Sequence, residues 1–133
     1  MVARGRTGRI EKQGFYDYHS RPARLWSDLS TLCDAPQEWT LESVQDRLLL
    51  SQALEAARCL EEGVLHCPED GDAGAIFGLG FAPNTGGPFA WMDQRGITWV
   101  RDRAMTFVND GHTHLQPPKM IIEMAERGER FYS

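Results

Sequence analysis

The strongest constraint on how this chain folds is a long amphipathic run between Thr40 and Gly63. Leu41, Val44, Leu48, Ala53, Leu54, Ala57 and Leu60 recur at helical spacing, and a period near 3.6 places such residues on one broad face of an α-helix. Thr40 is suited to the N-cap because its hydroxyl can accept from a free N–H of the first turn. Glu42 suits the positive end of the helix dipole, and Gly63 suits a C-terminal stop. A face this wide is expected to touch two other helices, leaving most of the helix covered by protein.

Proline and glycine cut the rest of the chain into further helical pieces. Pro68, with Glu69 and Asp70 behind it, opens a helix that is expected to run to about Gly78. Phe89, Trp91 and Met92 begin a short helix ending at Gly96. Another spans about Thr98 to Asp110, with Trp99, Val100, Ala104, Phe107 and Val108 on its apolar side and Gly111 as terminator. After Pro117 and Pro118 the last helix covers Met120 to Arg127, before Gly128. No run with the strand period of two follows residue 20. Upstream, residues 4–18 read as an extended connector closing on Phe15, Tyr16 and Tyr18. Leu25, Trp26, Leu29 and Leu32 stand at helical spacing ahead of Pro36, which would end any helix there. The expected organisation is a basic connector with a short helix over 1–39 and a helical domain over 40–133, an all-α class of about five helices.

With 133 residues the chain has room for one domain, not for a nucleotide-binding domain beside a substrate domain. Its net charge of −5 lacks the positive field that attracts phosphate backbones, so nucleic acid is not an expected partner. The charge is uneven: residues 1–25 carry +4 and the remainder −9. A basic arm of this kind is either solvated, or packs on something acidic or binds phosphate. Cys33, Cys59 and Cys67 are odd in number and lack CxxC spacing, which indicates neither a disulfide framework nor a zinc site and fits a reducing cytoplasm. No apolar run approaches the roughly 20 residues of a membrane span, and no apolar leader follows Met1. A cytoplasmic protein is expected.

Several constellations invite a chemical reading and are better explained by packing. Gly78-Leu-Gly80 begins like a dinucleotide fingerprint, but Pro83 stands where the third glycine is needed and no strand precedes it. A Walker loop fails as well, since five residues separate Gly80 from Gly86 and Gly87-Pro88 follow where Lys and Ser/Thr are required. A tight helix-to-helix turn accounts for these glycines. His112 and His114 form an HxH pair without a third ligand nearby, and catalytic zinc needs three. Glu61 and Glu62, and Asp70 and Asp72, could serve acid/base chemistry, but helix dipoles and a solvated face explain them. Cys59 reads as a small buried hydrophobe. Trp26, Trp39, Trp91 and Trp99 read as core or interface residues.

Three stretches in combination resemble a known family: RGRTGRIEKQGFYDY, then EAARCLEEGVLHCPEDGDAGAIFGLGFAPNTGGPFAWMDQRG, then MAERGERFYS. They resemble the C-terminal helical region of 3-hydroxyacyl-CoA dehydrogenase, most of all the second of two tandem helical repeats in multifunctional fatty-acid oxidation proteins. The resemblance covers residues 5–18 and about 40–132. It implies a helical fold like the C-terminal domain of 6-phosphogluconate dehydrogenase and a place in fatty-acid β-oxidation. In that family a separate nucleotide-binding domain supplies the catalytic Ser and a His–Glu pair and binds NAD, and none of it is in this chain. The first helical repeat of the family presents an Asn just ahead of an Arg toward the reacting part of the substrate. Here the corresponding residues are Asp46 and Arg47. An ionised carboxylate only accepts hydrogen bonds, so Asp46 cannot donate to a substrate carbonyl as an amide can.

The resemblance therefore implies a structural repeat, with no catalytic and no cofactor-binding residue of its own, NAD being a cofactor of the intact enzyme. Its partners would be the nucleotide-binding and first helical domains of a dehydrogenase, with the basic segment lying against the first repeat. Two other readings stay open. The chain could be a free-standing interaction protein forming a homodimer through Phe15, Tyr16 and Tyr18 or through the long helix at Leu48 and Leu49. Alternatively it could be a small acyl-CoA-binding module in which Arg4, Arg6 and Arg9 hold phosphates.

Overall fold

A computed structural model describes residues 1–32 and 38–132, so Cys33 and Pro36 lie outside the described residues. The chain divides into two units, Met1–Glu38 and Trp39–Ser133.

The first unit is less extended than its sequence suggests. A short 3-10 turn at Val2–Arg4 is closed by Gly5. The chain then folds back on itself, with Gly8 and Gln13 exchanging backbone hydrogen bonds of 2.7 and 3.0 Å. A two-residue strand β1 (Tyr16–Asp17) pairs antiparallel with β2 (Arg24–Leu25), Tyr16 opposite Leu25. The helical spacing of Leu25 to Leu32 materialises as a 3-10 helix at Ser27–Leu32. Within residues 4–18 the chain forms a strand at β1 and otherwise turns, and its basic residues are used inside the unit. Arg6 is buried: its Nε donates to the Gly14 carbonyl at 2.8 Å, its NH2 pairs with Asp17, and its plane lies over Trp26. Arg4 donates to Thr31 and Arg9 sits over Tyr18. Arg6 is thus spent on its own unit, contrary to the idea that it holds a ligand phosphate.

The second unit has five α-helices among the described residues: α1 (Leu41–Glu61), α2 (Pro68–Gly74), α3 (Pro88–Arg95), α4 (Ile97–Asn109) and α5 (Lys119–Arg127). Thr40 caps α1 as expected, its Oγ1 accepting from the Ser43 N–H at 3.1 Å. α2 stops at Gly74 and passes into a π turn over Ala75–Leu79, ended by Gly80. α1 packs chiefly on α3, and α5 on α4. Leu50, Ala53, Leu54 and Ala57 meet Phe81, Phe89, Met92, Val100, Leu115 and Ile121 in one core.

One expectation about α1 is corrected. Leu41, Val44 and Leu48 are exposed, Leu41 by 74% and Leu48 by 61%, and do not share the buried stripe. The buried residues are Asp46, Leu50, Ala53, Leu54 and Ala57. At 3.6 residues per turn these fall on one side of the helix, and Leu41, Val44 and Leu48 fall near the opposite side. The inward stripe begins with a charged residue, which a count of apolar positions passes over.

Candidate functional site

Asp46 is 2% exposed, a depth carboxylates reach only when paired. Its Oδ2 accepts from Arg103 Nε at 2.9 Å, and Arg95 NH2 stands 3.5 Å from its Oδ1. The two arginines are braced in turn: Arg95 lies 4.8 Å above the Trp99 ring and also faces Trp91, and Arg103 lies 4.8 Å above Phe107. Trp91 and Trp99 pack edge to face. Asp46 therefore ties α1 to the end of α3 and to the middle of α4. Oδ1 is buried and accepts no hydrogen bond among the described residues. A carboxylate so enclosed serves as an anchor between these helices.

A second carboxylate explains the family motifs. Asp72, 7% exposed, accepts from the Phe89 N–H at 2.7 Å, from the Ala90 N–H at 3.1 Å and from the Tyr132 hydroxyl at 2.8 Å. Phe89 and Ala90 are in the first turn of α3, whose N-cap, Gly87, offers no side chain. Asp72 thus caps α3, not its own helix, and supplies the negative charge that end of a helix favours. Asp93 does the same for the chain end, accepting from Phe131 N–H at 3.0 Å and Tyr132 N–H at 2.8 Å. Phe131 then packs edge-on against Phe89 at 4.8 Å. The PEDGD, GGPF and RFY stretches, far apart in sequence, meet at this node. Sequence spacing gave no signal of it, because the partners are 17 to 60 residues apart.

Burial and the hydrogen bond to Asp72 both favour the neutral phenol of Tyr132 and hold its pKa above the ordinary 10.0. In the unfolded chain Tyr132 ionises first as pH rises, so its contribution to stability is intact below pH 10 and is lost progressively above it. Urea melts from neutral pH upward are expected to show a steeper alkaline loss of stability for the wild type than for Tyr132→Phe. Equal alkaline slopes would refute this role.

The other candidates are placed as follows. Glu61 Oε1 accepts from the Met120 N–H at 2.6 Å, capping the start of α5. Cys59 is half-buried and lines a groove instead of sitting inside the core. His112 and His114 stand with ring centres 6.0 Å apart, and no metal-holding cluster occurs among the described residues. Of the proposed contact residues, Phe15 is 58% and Tyr16 43% exposed, and Leu48 is open as well. Tyr18 is half-buried beneath Arg9, and Leu49 packs against the chain's own core. Leu49 is therefore not presented for contact as its neighbour is.

An apolar groove of about 440 Å³ runs between α1, α2 and the π turn, lined by Ala56, Cys59, Val64, Leu65, Ala75 and Leu79 among others. Of its lining, Val64 and Leu79 are exposed by 67 and 79%, and Phe77, in the same π turn as Leu79, is exposed by 89%. Among the described residues no helix is long and apolar enough to cross a membrane.

No family model matches the chain. Similarity to characterised proteins is nevertheless extensive. A fatty acid oxidation complex subunit alpha from Shewanella loihica is 34% identical over 136 residues, covering 99% of this chain and 19% of that protein. The subunit of the same name from Vibrio vulnificus is 35% identical over 130 residues, 96% of this chain and 18% of its own length. A third, from Shewanella halifaxensis, is 34% identical over the whole chain. The chain spans about a fifth of the length of these curated relatives. With an all-α helical unit and similarity along nearly its full length, the chain is similar to one domain-sized segment of the fatty acid oxidation complex alpha subunits, consistent with a C-terminal domain of such a protein.

Proposed function

We propose that this chain serves as the helical packing domain of a β-oxidation 3-hydroxyacyl-CoA dehydrogenase, supporting NAD-dependent oxidation of 3-hydroxyacyl-CoA without taking part in the chemistry. The observation that carries this reading is the apolar groove with exposed Leu79 and Val64 in its lining, together with the exposed Phe77 of the same π turn. Clustered large apolar side chains left in water mark a surface made for another protein, and aromatic residues commonly dominate such contacts. In the relatives the remaining four-fifths of the chain would provide that cover. The enclosure of Asp46 between two arginines agrees with a supporting role, since it leaves no carboxylate or amide facing outward at the position the family uses for substrate. The nucleotide-binding and first helical domains are the proposed partners, and NAD is bound there. Self-association through Leu48 and the exposed Phe15 and Tyr16 is the second reading, favoured by their exposure.

Co-expression with the Shewanella loihica alpha subunit lacking the matched segment tests the first reading. The chain is expected to co-purify and to raise NADH formation from 3-hydroxybutyryl-CoA, while the isolated chain forms none. The double variant Phe77→Asp with Leu79→Asp is expected to weaken association by about tenfold or more, the effect of losing a buried anchor. Turnover by the isolated chain, or undiminished co-purification of the double variant, overturns the proposal.

A further inference from the structure

Arg47 stands apart from the other cations of the helical unit. Arg58, Arg95, Arg101, Arg103, Arg127 and Lys119 each have a carboxylate partner. Arg130 is exposed and donates to the Asp93 carbonyl. Arg47 is half-buried and has no carboxylate partner among the described residues, although residues 26–133 together carry −9. It is nonetheless held in place. Its guanidinium lies over the Trp39 ring, 5.3 Å from the centroid, and NH2 donates to His112 Nδ1 at 3.3 Å. Since arginine can only donate, Nδ1 accepts and the ring carries its proton on Nε2. His112 is itself packed against Trp39, Phe107 and His114 at 5.9, 6.3 and 6.0 Å between ring centres.

The braced arginine forms one wall of a groove of about 400 Å³ lined by Trp39, Val44, Arg47, Leu48, Ser51 and His114. Three of these walls are apolar or aromatic and exposed: Trp39 by 39%, Val44 by 38% and Leu48 by 61%. A guanidinium offers five N–H donors in a rigid fork, and one is engaged among the described residues. A cation pre-oriented by stacking, without a counter-charge among the described residues and bordered by apolar surface, is complementary to one kind of molecule. We propose that this groove is a binding site for a small organic anion: a carboxylate on a flat or branched apolar body. The carboxylate would take the Arg47 fork with the Ser51 hydroxyl and His114 as neighbouring donors, and the body would rest on Trp39, Val44 and Leu48. This groove shares Ser51 with the apolar groove between α1 and α2 but opens on Trp39, Arg47 and Leu48, and the proposal does not depend on the packing role.

The test is a titration of the full chain, labelled with nitrogen-15, with benzoate, benzamide and phenyl phosphate, following the Trp39 indole and Arg47 side-chain N–H signals. Benzoate is expected to shift both saturably. Benzamide, which keeps the ring but lacks the charge, is expected to bind about tenfold or more weakly, as is benzoate to Arg47→Met. Arg47→Lys should recover part of the affinity as a point charge without the fork. Leu48→Glu, at an exposed position that does not threaten folding, should weaken benzoate while leaving the Arg47–His112 contact intact. It decides the matter alone if Arg47→Met fails to fold. Shifts that grow linearly without saturation, equal binding of benzamide, or unchanged binding in Arg47→Met or Leu48→Glu would each overturn the proposal. Tighter binding of phenyl phosphate than of benzoate would overturn the assignment to a carboxylate.

Discussion

Gly87→Ala is expected to destabilise the helical unit by about 4 kcal/mol, combining backbone strain of roughly 1–3 kcal/mol with overpacking of a similar size. Gly87 has φ 114° and ψ 177°, a region essentially confined to glycine. A Cβ built there lies 2.5 Å from Cβ, Cγ and Oδ1 of Asp72, so the carboxylate would be driven off the N–H groups of Phe89 and Ala90. Asp72 cannot move aside cheaply, because the Tyr132 hydroxyl fastens it from the other direction. For a unit of this size the thermal midpoint should fall by roughly 20 °C. Gly80→Ala is the control: φ is 74°, but nothing lies within 4 Å of an added Cβ. It should cost only about 1 kcal/mol, the penalty of the left-handed conformation. Midpoints for Gly87→Ala and Gly80→Ala that coincide would show that close approach to Asp72 is unimportant.

Asp46→Ala is expected to cost about 3 kcal/mol, the lower end for breaking a buried ion pair, because both arginines can still reach water. Arg103 is 28% and Arg95 42% exposed in their side chains, whereas the carboxylate is 3% exposed. Losing it removes the hydrogen bond from Arg103 and places two guanidiniums around a vacated buried site. Asp46→Asn is expected to lose about 2 kcal/mol and to restore no dehydrogenase activity to the isolated chain, since an amide brings a donor toward groups that only donate. Chemical denaturation of the two variants measures the first effect, and NADH formation from 3-hydroxybutyryl-CoA the second. A fully stable Asp46→Ala would mean that the ion pair contributes nothing net and that the three helices are held by apolar contact alone. Activity in Asp46→Asn would mean that this face of α1 still addresses substrate.

Local chemistry made most of the helices legible. Thr40, Pro68 and Gly128 act within one turn of themselves, as an N-cap, as a first helical residue and as a left-handed C-terminal stop, and the structure has each in that role. The face of α1 was not legible. Val44 and Leu48 share helical spacing with one another, and nothing in their spacing distinguishes a stripe turned toward α3 from one left open.

The candidate site shows the same division. That Asp46 is not an amide, and so cannot donate, followed from its side chain alone. That it lies between Arg95 and Arg103, 49 and 57 residues away, depended on where α3 and α4 come to rest. Arg6 and Arg47 make the point in opposite directions. Arg6 read as one of the cations of a basic arm and Arg47 only as the residue after Asp46, and packing buried the first against Asp17 while it braced the second on Trp39 without a carboxylate among the described residues. Sequence determines what a side chain can donate, accept or cap within a turn. Only the tertiary structure decides which distant groups it meets, because the free energy of burying charge and apolar surface belongs to the assembled core and not to any one segment.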